Sequence, residues 1–205
     1  MGLYQAVLFD FDGVLADSEP VHFACWAEIV GPFGILLDWE TYRQYCVGMS
    51  DRQLVEFLGG RANPPMAPER LWDRCGQKQA RFRERMLAQP AISPEAVDLI
   101  KSLSGYLLAV VSSSDRSEVV PLLRQAGLEG CFGAVVCAED VARHKPAPDG
   151  YLLAARLLGI QRALVVEDSE AGVASGRAAG FDVLQITEAA QMPEIVRRYL
   201  ASHFR

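Results

Sequence analysis

From Tyr4 to Phe9 the chain is uncharged and mostly apolar, and the run ends abruptly in Asp10-Phe11-Asp12-Gly13. A short apolar run without polar alternation reads as a strand buried on both faces, the kind found in parallel sheets covered by helices. Ligands of open α/β sheets bind just beyond the carboxyl ends of the strands, which is where these two carboxylates fall. A carboxylate in that position can attack an electrophile or hold a hard cation, and Gly13 permits a tight backbone path around a ligand. The residue types alone fit an Asp-rich turn equally well, because Asp and Gly are ordinary turn formers.

Later runs carry complementary groups. Residues 107–111 are apolar and lead to Ser112, residues 163–166 lead to Glu167-Asp168-Ser169, and Lys145 stands in His144-Lys145-Pro146-Ala147-Pro148-Asp149 after the run at 134–137. A further strand is predicted over 183–186. Helical spacing predicts helices over 95–103, 116–126, 149–158, 172–179 and 189–201, with Pro121 requiring a local irregularity in the second. Repeated strand-helix alternation predicts an α/β fold with a doubly wound parallel sheet.

The stretch between the first strand and this alternating region differs. Val21, Ala24, Cys25, Ile29 and Val30 follow at helical spacing after Asp17 or Ser18 as a candidate cap, and Gly31-Pro32-Phe33-Gly34 breaks that helix. Shorter helices are predicted over 39–46 and 51–58, then a Gly- and Pro-rich connection over 59–68. A longer amphipathic helix over 69–88 is predicted to bury Leu71, Cys75, Phe82 and Met86 and to leave its arginines, its lysine and its glutamates solvated. Residues 16–88 therefore read as a helical cap domain, inserted into a catalytic core made of 1–15 and 89–205.

Asp10-Phe11-Asp12-Gly13, Ser112, Lys145 and Glu167-Asp168, in this order, resemble the motifs of the haloacid dehalogenase-like hydrolase superfamily. The closer resemblance is to its branch of small-molecule phosphatases and β-phosphoglucomutase-like enzymes, which carry a helical cap after the first motif, and it covers nearly the whole chain. It implies a Mg²⁺-dependent phosphomonoester hydrolase acting on a small phosphorylated metabolite, a sugar phosphate, through an aspartyl-phosphate. Asp10 would be the nucleophile and Asp12 the general acid and base, although charge alone would equally permit both to be metal ligands. The side chains of Asp10 and Asp168 and the backbone carbonyl of Asp12 would hold Mg²⁺, with Glu167 binding directly or through water. Ser112 and Lys145 would hold the phosphate, with Ser113 as a further contact. Ser114 is expected to cap the following helix, and Asp149 to cap a helix or orient the lysine.

Asp17-Ser18-Glu19-Pro20-Val21-His22 resembles the entry to the cap of sugar-phosphate phosphatases, where His22 can face the cleft. Helical periodicity by itself favours a half-buried structural histidine. Lys78 or a nearby arginine would help form the surface for an anionic substrate, unless it belongs to a solvated helix face. The alternative activity is that of a β-phosphoglucomutase-like sugar phosphotransferase, returning the phosphoryl group to the sugar instead of water. The loop Gly48-Met49-Ser50-Asp51-Arg52 argues against it, because Asp51 stands where the mutase pattern has a basic residue. Dehalogenation needs no cation to offset a phosphate, and a noncatalytic binding protein on this fold would be expected to have lost a member of the site.

Composition narrows the partners. Among 205 residues, 20 Lys and Arg against 26 Asp and Glu give a formal charge of -6, which offers nothing to a nucleic-acid backbone. Cys25, Cys46, Cys75, Cys131 and Cys137 are odd in number and lack a Cys-x-x-Cys pair, so reduced, partly buried thiols are expected rather than disulfides or a zinc site. No stretch is apolar and long enough for a membrane span, and no basic or cleavable apolar segment precedes the first strand. The expectation is a cytoplasmic protein without a membrane partner, and nothing in the sequence fixes its oligomeric state.

Overall fold

The computed structural model describes residues 3–203. After β1 (Ala6–Phe9) come five helices, α1 (Glu19–Val30), α2 (Trp39–Tyr45), α3 (Asp51–Arg61), α4 (Glu69–Trp72) and α5 (Cys75–Leu87). The chain then alternates through α6 (Pro94–Ser102), β2 (Leu107–Val111), α7 (Arg116–Gln125), β3 (Ala134–Val136), α8 (Asp149–Leu158), β4 (Ala163–Glu167), α9 (Glu170–Ala178), β5 (Asp182–Gln185) and α10 (Met192–Ser202). The five strands make one parallel sheet in the order β3-β2-β1-β4-β5. Strand order reverses beside β1, so the crevice between the ends of β1 and β4 is the place where a doubly wound sheet receives a ligand.

Alternation along β1 explains why the run has no polar face. Val7 and Phe9 join Leu108, Val110, Leu164 and Val166 in one buried layer, which the apolar sides of α6, α7 and α10 cover. Ala6 and Leu8 join Ala109, Val111, Ala163 and Val165 in the other, against Tyr151, Ala154 and Ala155 of α8. Both faces are dry, so neither can carry polar side chains.

Among the described residues, 16–88 contribute helices and no strand to the sheet. Trp26, Ile29, Val30, Tyr42, Leu54, Leu58 and Leu71 form a buried cluster separate from the two sheet layers. The two chain crossings that lead into and out of this region lie side by side, joined by an antiparallel bridge between Ala16 and Ile92. Ser50 and Gln53 form a capping box at the start of α3, which ties the loop before it to the helix.

Three expectations change in the structure. The helix predicted over 69–88 is two helices, because Arg74 N bonds to Leu71 O and tightens the turn between α4 and α5. The lysine of that region is not solvated: Lys78 is 1% exposed, since it follows Leu71 and Cys75 and precedes Phe82 at spacings of three and four on the inward face. The α7 helix runs through Pro121 and is capped by Asp115, whose side chain accepts from Ser117 N, rather than by Ser114. Among the described residues, no helix is long and apolar enough to cross a membrane, and all five cysteines are free.

Candidate active site

Asp10 follows the last residue of β1, and its backbone N–H bonds to Val166 O, continuing the ladder to β4 past the strand end. Its Oδ1 accepts from Lys145 Nζ at 2.6 Å. The same ammonium donates to Glu167 Oε1 at 2.5 Å and to Val111 O at 3.1 Å, so all three of its donors have acceptors. Burial alone would discharge Lys145, but Asp10 and Glu167 outweigh it and raise its pKa above the ordinary lysine range. The lysine is thus a fixed positive charge at the junction of β1, β2 and β4.

Glu167 ends β4 and is 0% exposed. Oε1 also accepts from Tyr151 OH at 2.9 Å, while Oε2 accepts from the Asp168 and Ser169 backbone N–H groups and from Ser169 Oγ. With both oxygens engaged in this way, its carboxylate anchors Lys145. Ser169 in turn caps α9 by accepting from Gly172 N at 3.0 Å. Asp149, read from the sequence as a helix cap or lysine orienter, does neither: it is the first residue of α8 and pairs with Arg143 at 2.7 Å.

Asp10, Glu167 and Asp168 present oxygens within 4.8 Å of one another. Burial, then Glu167, pushes the Asp10 carboxyl well above the usual range despite Lys145. The same two causes push Asp168 up to about 8. One ammonium therefore leaves this cluster short of positive charge. Gly13, at φ +75°, brings the first loop so near Asp168 that a Cβ there would run into its carboxylate. Hard oxygen donors, crowding of like charge and close backbone approach fit a small hard cation.

Asp12 turns its carboxylate away from that cluster. Oδ1 accepts from Ser18 Oγ at 2.5 Å and meets His22 Nε2 at 3.0 Å, and Oδ2 accepts from Ser112 Oγ at 3.2 Å and Ser114 Oγ at 2.7 Å. Burial would raise its pKa, but the charge and hydrogen bond of His22, with the hydroxyls of Ser18 and Ser114, hold it well below the usual carboxylate range. His22 is 5% exposed and stacks on Phe82 with centroids 3.9 Å apart. Burial and the Lys78 charge oppose its protonation, yet Asp12 raises its pKa overall. Asp12 and His22 thus form a largely buried, hydrogen-bonded acid–base pair.

The structure brings Asp10, Asp12, His22, Lys78, Ser113, Lys145 and Asp168 to one cavity between the sheet end and the helices above it. Glu167 lies behind it, against Lys145. Ser112 spends its proton on Asp12, and Ser114 N donates to its Oγ at 2.9 Å. Ser113 Oγ, in contrast, is buried without a partner. Ser18, Ser114 and Tyr151 were missed as site residues. Ser18 and Ser114 look like helix caps, and Tyr151 is one apolar-face position of α8 with no local signal. Lys78 does line the cavity, but it is already bound by Asp51 at 2.9 Å and Glu118 at 3.0 Å.

A doubly wound sheet with a carboxylate at the end of its central strand, faced by a buried ammonium and a second acidic pair, defines a class of hydrolases. The chain belongs to the haloacid dehalogenase-like hydrolase family, whose model matches residues 4–180. It is 32% identical over 186 residues to the fructose-1-phosphate phosphatase YqaB of Escherichia coli (strain K12), covering 89% of this chain and 96% of that one. With hexitol phosphatase A of the same organism it shares 33% identity over 203 residues, covering 97% and 90% of the two chains. A crystal structure of a mutant CbbY from Rhodobacter sphaeroides in complex with xylulose-1,5-bisphosphate is 28% identical, with a TM-score of 0.78 over 88% of this chain and 84% of that one.

Proposed function

We propose that this hydrolase is a Mg²⁺-dependent phosphatase of small phosphorylated metabolites, sugar or sugar-alcohol phosphates, working through an aspartyl-phosphate on Asp10. The observation that carries the reading is the convergence of Asp10, Lys145 and Asp168 at the ends of β1 and β4, with the Asp12–His22 pair beside them. The names of the two phosphatase relatives support the substrate class.

In the first step an oxygen of Asp10 attacks phosphorus and the ester P–O bond breaks, leaving the phosphoryl group on the carboxylate. The departing alkoxide takes a proton from the Asp12–His22 pair, delivered through Asp12. Water then attacks the phosphorus of the aspartyl-phosphate, gives its proton back to that pair and releases inorganic phosphate with Asp10 restored. Lys145 balances charge on Asp10 throughout, and Glu167 keeps it in place. Ser113 Oγ is the hydroxyl free to donate to a phosphoryl oxygen, with Ser112 supporting Asp12 instead. The Asp10 and Asp168 carboxylates and the Asp12 carbonyl would hold Mg²⁺, Glu167 contributing through its neighbours. When bound, it would offset the charge that phosphate adds to this acidic cluster.

Residues 16–88 act as a mobile cap on the core of 1–15 and 89–205. The cavity beneath the helices offers only about 20 Å³, little more than one water position, while a wider cleft of about 1150 Å³ reaches Lys145 and Asp168; a sugar phosphate is seated beneath the helices when they lift about the paired crossings at Ala16 and Ile92. Closure then excludes water from the phosphoenzyme until hydrolysis. Hydrolysis is favoured over phosphoryl return to the sugar because Asp51 occupies Lys78. Five free cysteines are consistent with a reducing cytoplasmic setting.

The deciding assay incubates the protein with a panel of sugar phosphates, with EDTA and after Mg²⁺ is restored, and reads phosphate release and sugar isomerisation together. Mg²⁺-dependent phosphate release that Asp10→Asn abolishes is expected. Unchanged turnover in EDTA would reject the metal requirement, and isomerisation with little phosphate release would reject hydrolysis.

A further inference from the structure

Away from the phosphate end, the cavity wall has an acidic balance. Its cap side includes Glu19, Trp26, Tyr42, Asp51 and Lys78, of which Lys78 is the sole cation. An ammonium has three N–H donors. One goes to Asp51 Oδ1 and one to Glu118 Oε1, while the Trp26 and Phe82 rings lie 5.7 and 5.4 Å from Nζ. Glu118 comes from α7 of the core, is fully buried, and its Oε2 has no partner. One positive charge is thus set against two carboxylates in a place nearly closed to solvent.

Among the described residues, no other cation compensates on the cap side: Lys145 of the same cavity is held by Asp10 and Glu167. His22 commits its Nε2 to Asp12. Arg52, next to Asp51, is exposed and pairs with Glu56, and Arg43 lines the adjoining wider cleft and not this cavity. Glu19 accepts from Tyr42 OH at 2.7 Å, and in either protonation state it adds no positive charge.

We infer that Asp51 is a specificity-determining residue: by holding the one cap-side ammonium in an ion pair, it leaves the leaving-group half of the cavity net acidic. The site then takes phosphomonoesters of uncharged, hydroxyl-bearing alcohols and turns away esters that carry a second phosphate or a carboxylate. Sugar hydroxyls find acceptors in Glu19 and Asp51 and one remaining donor in Lys78. A second anion meets the same carboxylates where water screens them weakly. The inference rests on the phosphatase reading above and adds to it a charge rule for the leaving group.

The test measures kcat and KM with Mg²⁺ for fructose phosphate against fructose bisphosphate, and for glucose phosphate against phosphogluconate. The wild-type protein is expected to prefer the ester with the single anionic group in each pair by at least about tenfold in kcat/KM, and Asp51→Asn to narrow that ratio by about tenfold, through the KM of the ester that carries a second anionic group. Glu118→Gln relieves Lys78 from the core side without changing the cavity wall and is expected to move the ratio the same way. Should neither variant fold, as judged by thermal unfolding, the wild-type ratios decide alone. Comparable kcat/KM within both pairs, or ratios unmoved in a folded Asp51→Asn, overturns the charge rule and leaves the phosphatase reading standing. No turnover of any ester by the wild-type protein overturns both.

Discussion

Replacing Tyr151 by Phe removes one hydroxyl from a region without access to water. Tyr151 and Glu167 are each 0% exposed, and the phenol donates to Glu167 Oε1 at 2.9 Å. The deletion leaves Oε1 with Lys145 as its partner, while the ring that lies 5.4 Å from Lys145 Nζ remains. A hydrogen bond to a buried charged group contributes about 1.5–3 kcal/mol, and none of that is recovered from solvent here. With a urea slope of about 2 kcal/mol/M, a loss near the middle of that range lowers the unfolding midpoint by about 1 M. Because Glu167 holds Lys145 against Asp10, phosphate release is expected to slow by about tenfold as well, the scale of a lost supporting hydrogen bond behind a site. Urea unfolding followed by circular dichroism, with phosphate release measured on the same preparation, provides the check. A Tyr151→Phe protein within about 0.5 kcal/mol of wild type in stability, and equal to it in turnover, would refute the anchoring role given to Glu167.

Two further outcomes follow from the acidic cluster. The Asp168 carboxyl is pushed up to about 8 in the fold by burial and by Glu167, against about 4 in the unfolded chain, so the folded state holds that proton more tightly. Its stabilising contribution is complete below pH about 4 and is lost as pH rises through about 8; the melting temperature in EDTA should fall over that window and flatten with saturating Mg²⁺ or in Asp168→Asn, and a flat metal-free profile in the wild-type protein would contradict the charge crowding. A Cβ at Gly172 would fall inside the Glu167 carboxylate, which Lys145, Tyr151 and Ser169 pin in place, so Gly172→Ala should break the buried pair at a cost of about 3–5 kcal/mol. Thermal unfolding and turnover at wild-type levels in that variant would count against the packing.

The order of strands and helices was legible in the sequence because both follow from local patterning. A short unbroken apolar run has to be a doubly buried strand once helices flank it, and residues just past such a run have to stand at the sheet's ligand-binding edge. That local rule carried Asp10, Ser112 and Glu167-Asp168 to one end of the sheet without any knowledge of partners. Lys78 was misread as solvated because of its charge, although its spacing from Cys75 and Phe82 matches the inward face that the structure shows.

Partner choice was not legible, because it depends on distance in space rather than position in the chain. Ser18 and Ser114 have the local signature of helix caps, yet both give their hydroxyls to Asp12, from 6 and 102 residues away. Lys145 could have been an exposed turn residue; what holds it charged and buried is Asp10 from β1 and Glu167 from β4. Lys78 is similarly held by Glu118, 40 residues on. Which chemical groups stand at the strand ends follows from local patterning alone, since strand periodicity is a property of neighbouring residues. Which of them are paired or free is settled in three dimensions, since a buried charge is stable only beside a partner, and folding brings that partner from any part of the chain.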